Sequence, residues 1–265
     1  MELGLRNKIA LITGGSQGIG KSVAHRLSLE GAKVAICARN EGKLLKAAEE
    51  IRSQTNGVVL PVVSDVSVPS DVRKLLNVTI EKFGGLDILI NNAGTSAAMP
   101  FEEVTDELWI EDLDLKLFSA IRLIRAALPY MRRAGGGRII NVTNLAGKAP
   151  GPSSTPTSVS RAAGIALTKA LSKDLAKDNI LVNTVCIGLI KSGQHESRYQ
   201  KALELEPKLT LNEFYEKAAF GRGVPLGRVG ETAEAGDVIA FLASSKASYI
   251  TGTSINIDGG SSAVI

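Results

Sequence analysis

A short apolar run, Lys8 to Ile12, leads into Thr13-Gly14-Gly15-Ser16-Gln17-Gly18-Ile19-Gly20 and then into helix-forming residues through Leu29. Strand, tight turn and helix in that order leave few folds open. Glycine is needed at Gly14 and Gly18 because a Cβ there would hold the backbone away from a pyrophosphate, and at Gly20 so that helix and strand can pack closely. The helix N-terminus then offers unpaired N–H groups to a phosphate, with Ser16, Gln17 and Ile19 in the same loop. A second apolar strand, Lys33 to Ala38, follows at the distance a βαβ unit requires, and Arg39 stands just beyond its end. The pattern points to a dinucleotide site. NAD calls for a carboxylate at that strand end and NADP for a cation facing its 2′-phosphate. Positions 36 to 39 hold no acid and Arg39 is basic, so NADP is the expected cofactor, with NAD still open.

Apolar runs and helical stretches alternate along the rest of the chain. Strands are expected near 8–13, 33–38, 58–63, 86–91, 137–143, 180–186 and 253–257, with helices near 19–30, 41–55, 69–83, 106–133, 158–177 and 231–243. The strands are nearly continuous Val/Ile/Leu runs, as when both faces of a sheet are covered. This predicts an α/β protein: a single Rossmann-fold domain over 1–265, a doubly wound seven-stranded parallel sheet with helices on both faces. Ligands of such sheets bind beyond the carboxyl ends of the strands. No linker or repeat divides the 265 residues, and 44% apolar content is ample for a core. No apolar run of transmembrane length and no signal-peptide pattern is found, so a cytoplasmic protein without membrane contact is expected. Cys37 and Cys186 lie in apolar strands, as core residues of a reducing compartment would. The net charge of +4 is spread over helix faces without interleaved aromatics, which argues against nucleic acid, and two histidines cannot build a histidine-rich metal site.

The chain resembles the short-chain dehydrogenase/reductases over nearly its whole length. The matching pieces are Thr13 to Gly20, Asp65-Val66, Asn91-Asn92-Ala93-Gly94, the Asn183 and Gly188 turn, and Ile257-Asp258-Gly259-Gly260. By that resemblance Asp65 and Val66 contact the adenine, Asn92, Ala93 and Gly94 line the cofactor, and Ile190 and Ser192 hold the nicotinamide amide. The family's chemistry uses a tyrosine, a lysine four residues later, an upstream serine, and an asparagine in the long middle helix. Counted along the motifs, those positions fall on Thr157, Arg161, Asn144 and Asp114; a one-residue slip would put Thr143 at the serine position. An aliphatic hydroxyl is a far weaker acid than a phenol, and Arg161 stays protonated, so neither relays a proton as tyrosine and lysine do. Arg161 can still bind the nicotinamide ribose or an anionic substrate, and Asn144 can orient a carbonyl. Asp114 and Arg161 are expected to form a direct or water-bridged ion pair.

Residues 192–224 resemble the family's substrate lid; Tyr199, Tyr215 or His195 within it could supply the proton once the lid closes, although surface positions on amphipathic helices are the commoner fate of such residues. The helices 106–133 and 158–177 resemble those that pair across twofold axes in the family, so a homotetramer is expected. Two functions stay open: an NADP-dependent oxidoreductase acting on a carbonyl or alcohol with ordinary ketoreductase activity weak or absent, and a catalytically inactive NADP-binding sensor or partner subunit of a hetero-oligomer.

Overall fold

The structure, a computed structural model, describes residues 2–265 apart from the side chains of 194 and 196. Its first half runs β1 (Ile9–Thr13), α1 (Gly18–Leu29), β2 (Lys33–Ala38), α2 (Glu41–Thr55), β3 (Val59–Val63), α3 (Pro69–Phe83) and β4 (Ile88–Asn91). The second half runs α4 (Asp106–Leu113), α5 (Ser119–Arg133), β5 (Gly137–Asn144), α6 (Thr157–Asp174), β6 (Ile180–Ile187), α7 (Gly193–Leu205), α8 (Leu211–Gly221), α9 (Thr232–Ala243) and β7 (Ser254–Ile257). The seven strands form one parallel sheet in the order β3-β2-β1-β4-β5-β6-β7. The order reverses between β1 and β4, and the crevice beyond the strand ends at that point is where such sheets hold ligands.

Period-two alternation sends neighbouring residues of each strand into different layers. Leu11, Ala35, Leu89, Ile139 and Val182 pack with Leu75 of α3 and Leu123, Ile124, Ala127 and Met131 of α5. Ile12, Ile36, Ile90, Ile140 and Val185 face the opposite way, onto α1, α2 and α9. Cys37 and Cys186 are buried free thiols, and burial pushes Cys37 up to about 12, which leaves it unreactive at neutral pH. Among the described residues no helix is long and apolar enough to cross a membrane.

Two expected helices need correction. The stretch 106–133 is not one helix: a π-helical turn, Asp114–Phe118, separates α4 from α5. The helix expected to reach 177 ends at Asp174, after which Ala176–Asp178 make a short 3-10 turn.

Candidate active site

A cleft of about 920 Å³ runs along the carboxyl edge of the sheet. Its middle wall is the glycine loop, where Gly14 and Gly18 have φ of +67° and +57°, a region that L side chains avoid. Ser16, Gln17 and Ile19 line it as expected, with Ala93 and Gly94 across from them. Gly20 does not line it. A Cβ there would run into the Gly14 carbonyl, so this glycine serves the loop's packing.

Asn92 also works on the loop. Its Nδ2 donates to the carbonyls of Thr13 (2.9 Å) and Gly14 (3.3 Å), while Thr13 Oγ1 accepts from the N–H groups of Asn92 and Ala93, each at 2.9 Å. The side chain thus ties the end of β4 to the turn after β1. Asn92→Ala strands these carbonyls at a cost of about 1–3 kcal/mol. We expect a melting point lower by several degrees and weaker nucleotide binding, checked by calorimetry; unchanged binding would show that the loop holds its shape unaided.

At one end of the cleft lie Arg39, Asp65 and Val66, together with Asn40 and Lys43. Asp65 Oδ1 is taken by the N–H (3.0 Å) and hydroxyl (2.6 Å) of Ser67, and Arg39 is 3.8 Å from its other oxygen with a side chain 74% exposed. Lys43 was missed by sequence reasoning. It enters because Asn40 caps α2, its Oδ1 accepting from Lys43 N at 2.9 Å, which sets the first turn of α2 against the cleft wall. A basic residue four positions after Arg39, just inside a helix start, was the available signal.

At the other end lie Thr143, Asn144, Arg161, Ile190 and Ser192. Arg161 Nη1 donates to the Val142 carbonyl (3.0 Å), and its guanidinium lies so close to Gly94 that a Cβ there would sit 2.7 Å from Nη2. Burial pulls the Arg161 guanidinium down to about 10, with Asp112 opposing, so it stays charged at neutral pH.

Thr157 and Asp114 do not line the cleft. Thr157 is buried, and its Oγ1 accepts from Ala97 N (2.9 Å) and from Lys116 Nζ (3.0 Å). Lys116 in turn pairs with Asp112, whose other oxygen accepts from Ser160 Oγ at 2.6 Å. The Lys116 and Asp112 side chains are 0% and 1% exposed. Burial lowers the Lys116 ammonium below its usual range, a fall that its bond to Asp112 opposes and the Arg161 charge reinforces. The expected Asp114–Arg161 ion pair is not formed directly. Asp114 binds Arg122 at 2.6 Å, and the residues of this stretch that meet α6 are Asp112 and Lys116. Two cations therefore share one carboxylate in this cluster. A cavity of about 20 Å³ beside it, room for about one water, is bordered by Asn91, Thr143 and Arg161, whose Oδ1, Oγ1 and Nε are buried without a protein partner.

The segment 192–224 forms α7 and α8 and closes over this end. Neither of its tyrosines lines the cleft. Tyr215 is buried in a cluster with Leu189, Ala219, Val224 and Val229, and Tyr199 OH donates to the Leu209 carbonyl at 2.9 Å. His195 does line the cleft, with Arg198 and Arg222. Burial, and then the charges of those two arginines, hold its imidazole below the usual histidine range.

A doubly wound sheet, a glycine turn at its first helix and a cleft across the switch point define a dinucleotide-binding α/β protein. A family profile described as enoyl-(acyl carrier protein) reductase matches residues 14–262, and the chain belongs to the short-chain dehydrogenase/reductase family. It is 33% identical over 258 residues to a 3-oxoacyl-(acyl-carrier-protein) reductase of Vibrio cholerae, covering 97% of this chain and 98% of that one. It superposes on L-sorbose reductase from Gluconobacter frateurii, solved with NADPH and L-sorbose, with a TM-score of 0.94 at 32% identity over 100% of both chains. It also matches an NADPH-bound short-chain oxidoreductase from Pseudomonas aeruginosa PAO1 containing an atypical catalytic center, with a TM-score of 0.91 at 34% identity over 98% of this chain and 100% of that one.

Proposed function

We propose that the protein is an NADP-dependent oxidoreductase interconverting a carbonyl and an alcohol, with Arg161 and Asn144 handling the charge on the reacting oxygen. One observation carries this reading: a single cleft joins the cations Arg39 and Lys43 to Arg161 and Asn144, past the glycine loop. The residues fit the cofactor. A Cβ at Gly18 would meet no protein atom within 4 Å, so that side of the loop is open where a pyrophosphate would approach the start of α1. Arg39 and Lys43 would receive the 2′-phosphate, Asp65 and Val66 the adenine, and Ile190 and Ser192 the nicotinamide amide. NADPH bound in the two solved relatives supports the choice of NADP over NAD. When bound, the nicotinamide supplies or accepts the hydride.

Reduction adds a hydride to carbon and a proton to oxygen, and the oxygen becomes negative before it is protonated. Asn144 Nδ2 can donate to that oxygen, and the Arg161 guanidinium can face it with a fixed positive charge; a preorganised donor of this kind is worth about 10²–10³-fold in rate. Proton delivery falls to His195 or to water, because Thr157 Oγ1 lies behind the cleft wall. Arg161→Met is expected to lower kcat/KM with NADPH and a ketone panel by about 10²–10³-fold, with NADPH affinity changed only a few-fold. Retention of full turnover in that variant would remove Arg161 from the chemistry. A wild type that binds NADPH tightly but reduces nothing in the panel would favour the second reading, a nucleotide-binding sensor or partner subunit, for which the buried hydroxyl of Thr157 is the supporting observation.

A homotetramer belongs to the same reading. Ile110, Phe118 and Val159 are exposed on α4, the π turn and α6, and Tyr249 and Ile265 are exposed near β7. Light scattering that gives a monomer mass would overturn it.

A further inference from the structure

The lid places nitrogen-bearing side chains on one wall of the cleft. His195 and Arg198 stand about one turn apart on α7, and Arg222 follows the last turn of α8. The charges of Arg198 and Arg222 both act on His195, so the three lie close together. Neither arginine side chain has an ion-pair or hydrogen-bond partner among the described residues, although Lys191, Lys217 and Arg228 nearby each pair with a glutamate. Two cations turned toward a cleft and left unneutralised repel each other unless something negative enters between them.

The opposite wall adds Arg161, and among the described residues the carboxylate that lines the cleft, Asp65, is at the far end and already bonded to Ser67. The half of the cleft beyond the glycine loop is therefore positive on both sides. We propose that the substrate is itself an anion, a carbonyl or alcohol compound carrying a carboxylate or phosphate that Arg198 and Arg222 receive while its reacting oxygen meets Arg161 and Asn144. This rests on the oxidoreductase reading and names its substrate class. The cofactor's own pyrophosphate is the competing anion, but its cradle is the glycine loop. Gly193, at the start of α7, already lies against Gln17 of that loop. Arg198 is five residues further along the helix, about 7.5 Å of rise away.

The test uses the protein saturated with NADP+, which has no hydride to give and leaves the carbonyl probes unreduced, titrated calorimetrically with acetoacetate and hydroxyacetone phosphate, beside the neutral methyl acetoacetate and hydroxyacetone. Arg198 and Arg222 are exposed, so methionine at either leaves the fold intact. The expected result is binding of at least one anion about tenfold or more tighter than its neutral counterpart. That preference should be lost in Arg198→Met and Arg222→Met while NADPH affinity stays within about twofold. A preference for the carboxylate or for the phosphate identifies which anion the site takes. Equal binding of neutral and charged probes, or no binding of either anion, overturns the proposal. Loss of NADPH affinity in the two variants also overturns it, by assigning the arginines to the cofactor. A wild type that binds no NADPH sinks the oxidoreductase reading itself, and is told apart by that titration alone.

Discussion

Lys116→Met is expected to lower the melting temperature by roughly 10 °C, because it removes one partner of a buried ion pair. Lys116 and Asp112 are sealed from solvent, and each is the other's counter-ion. Removing the ammonium leaves a buried carboxylate whose remaining bond is to Ser160 Oγ and also takes a donor from Thr157 Oγ1. Breaking such a pair from one side costs about 3–5 kcal/mol, whereas exchanging both partners for apolar groups of similar volume is often neutral. The double variant Asp112→Leu/Lys116→Met should therefore recover only part of the loss, because it also takes from the buried Arg161 the carboxylate that it shares with Lys116. Differential scanning calorimetry of the single and double variants decides the matter. A double variant as unstable as the single one would mean that the bonds to Thr157 and Ser160 and the carboxylate facing Arg161 together outweigh the relief of the buried charge.

Arg39→Ala/Lys43→Ala should weaken NADPH binding by about 100-fold while leaving NADH within a few-fold. Hydrogen bonds to charged groups contribute about 1.5–3 kcal/mol each, and Arg39 is well exposed, so the lower end applies to both. The paired titrations carry the information: a 2′-phosphate is present in one nucleotide and absent from the other. If both nucleotides lose affinity equally, the two cations support the adenosine generally. If neither does, the phosphate is read elsewhere.

The sheet and its cofactor wall were legible because each rests on local chemistry. Short Val/Ile runs bounded by turn residues fit doubly covered strands, and Gly14 and Gly18 of the Thr13–Gly20 turn are set by a positive φ that L side chains avoid. Arg39 was legible as the residue after a strand end, but Lys43 was not, since its place depends on where Asn40 starts the next helix. The middle helix failed for a related reason. Counting by motif put Asp114 opposite Arg161, while the π turn carries Asp114 to Arg122 and Lys116 inward to Thr157. The lid arginines carry no sequence signature at all: on an amphipathic helix, a cation facing a cleft and one facing solvent read alike, and only the packing of α7 and α8 separates them.

The π turn at Asp114–Phe118 also decides how this region can change. A π turn amounts to one residue more than a regular helix would hold, so the segments before and after it are out of step by about 100° of rotation. Helix α5 is anchored to the sheet through Leu123, Ile124, Ala127 and Met131, and α4 to α6 through the bond between Asp112 and Ser160. Removing a single residue from the turn would restore a regular helix yet rotate one anchored segment against the other. Length variation that loops tolerate freely is thus closed to this stretch, and point substitution is the route by which its chemistry can diverge.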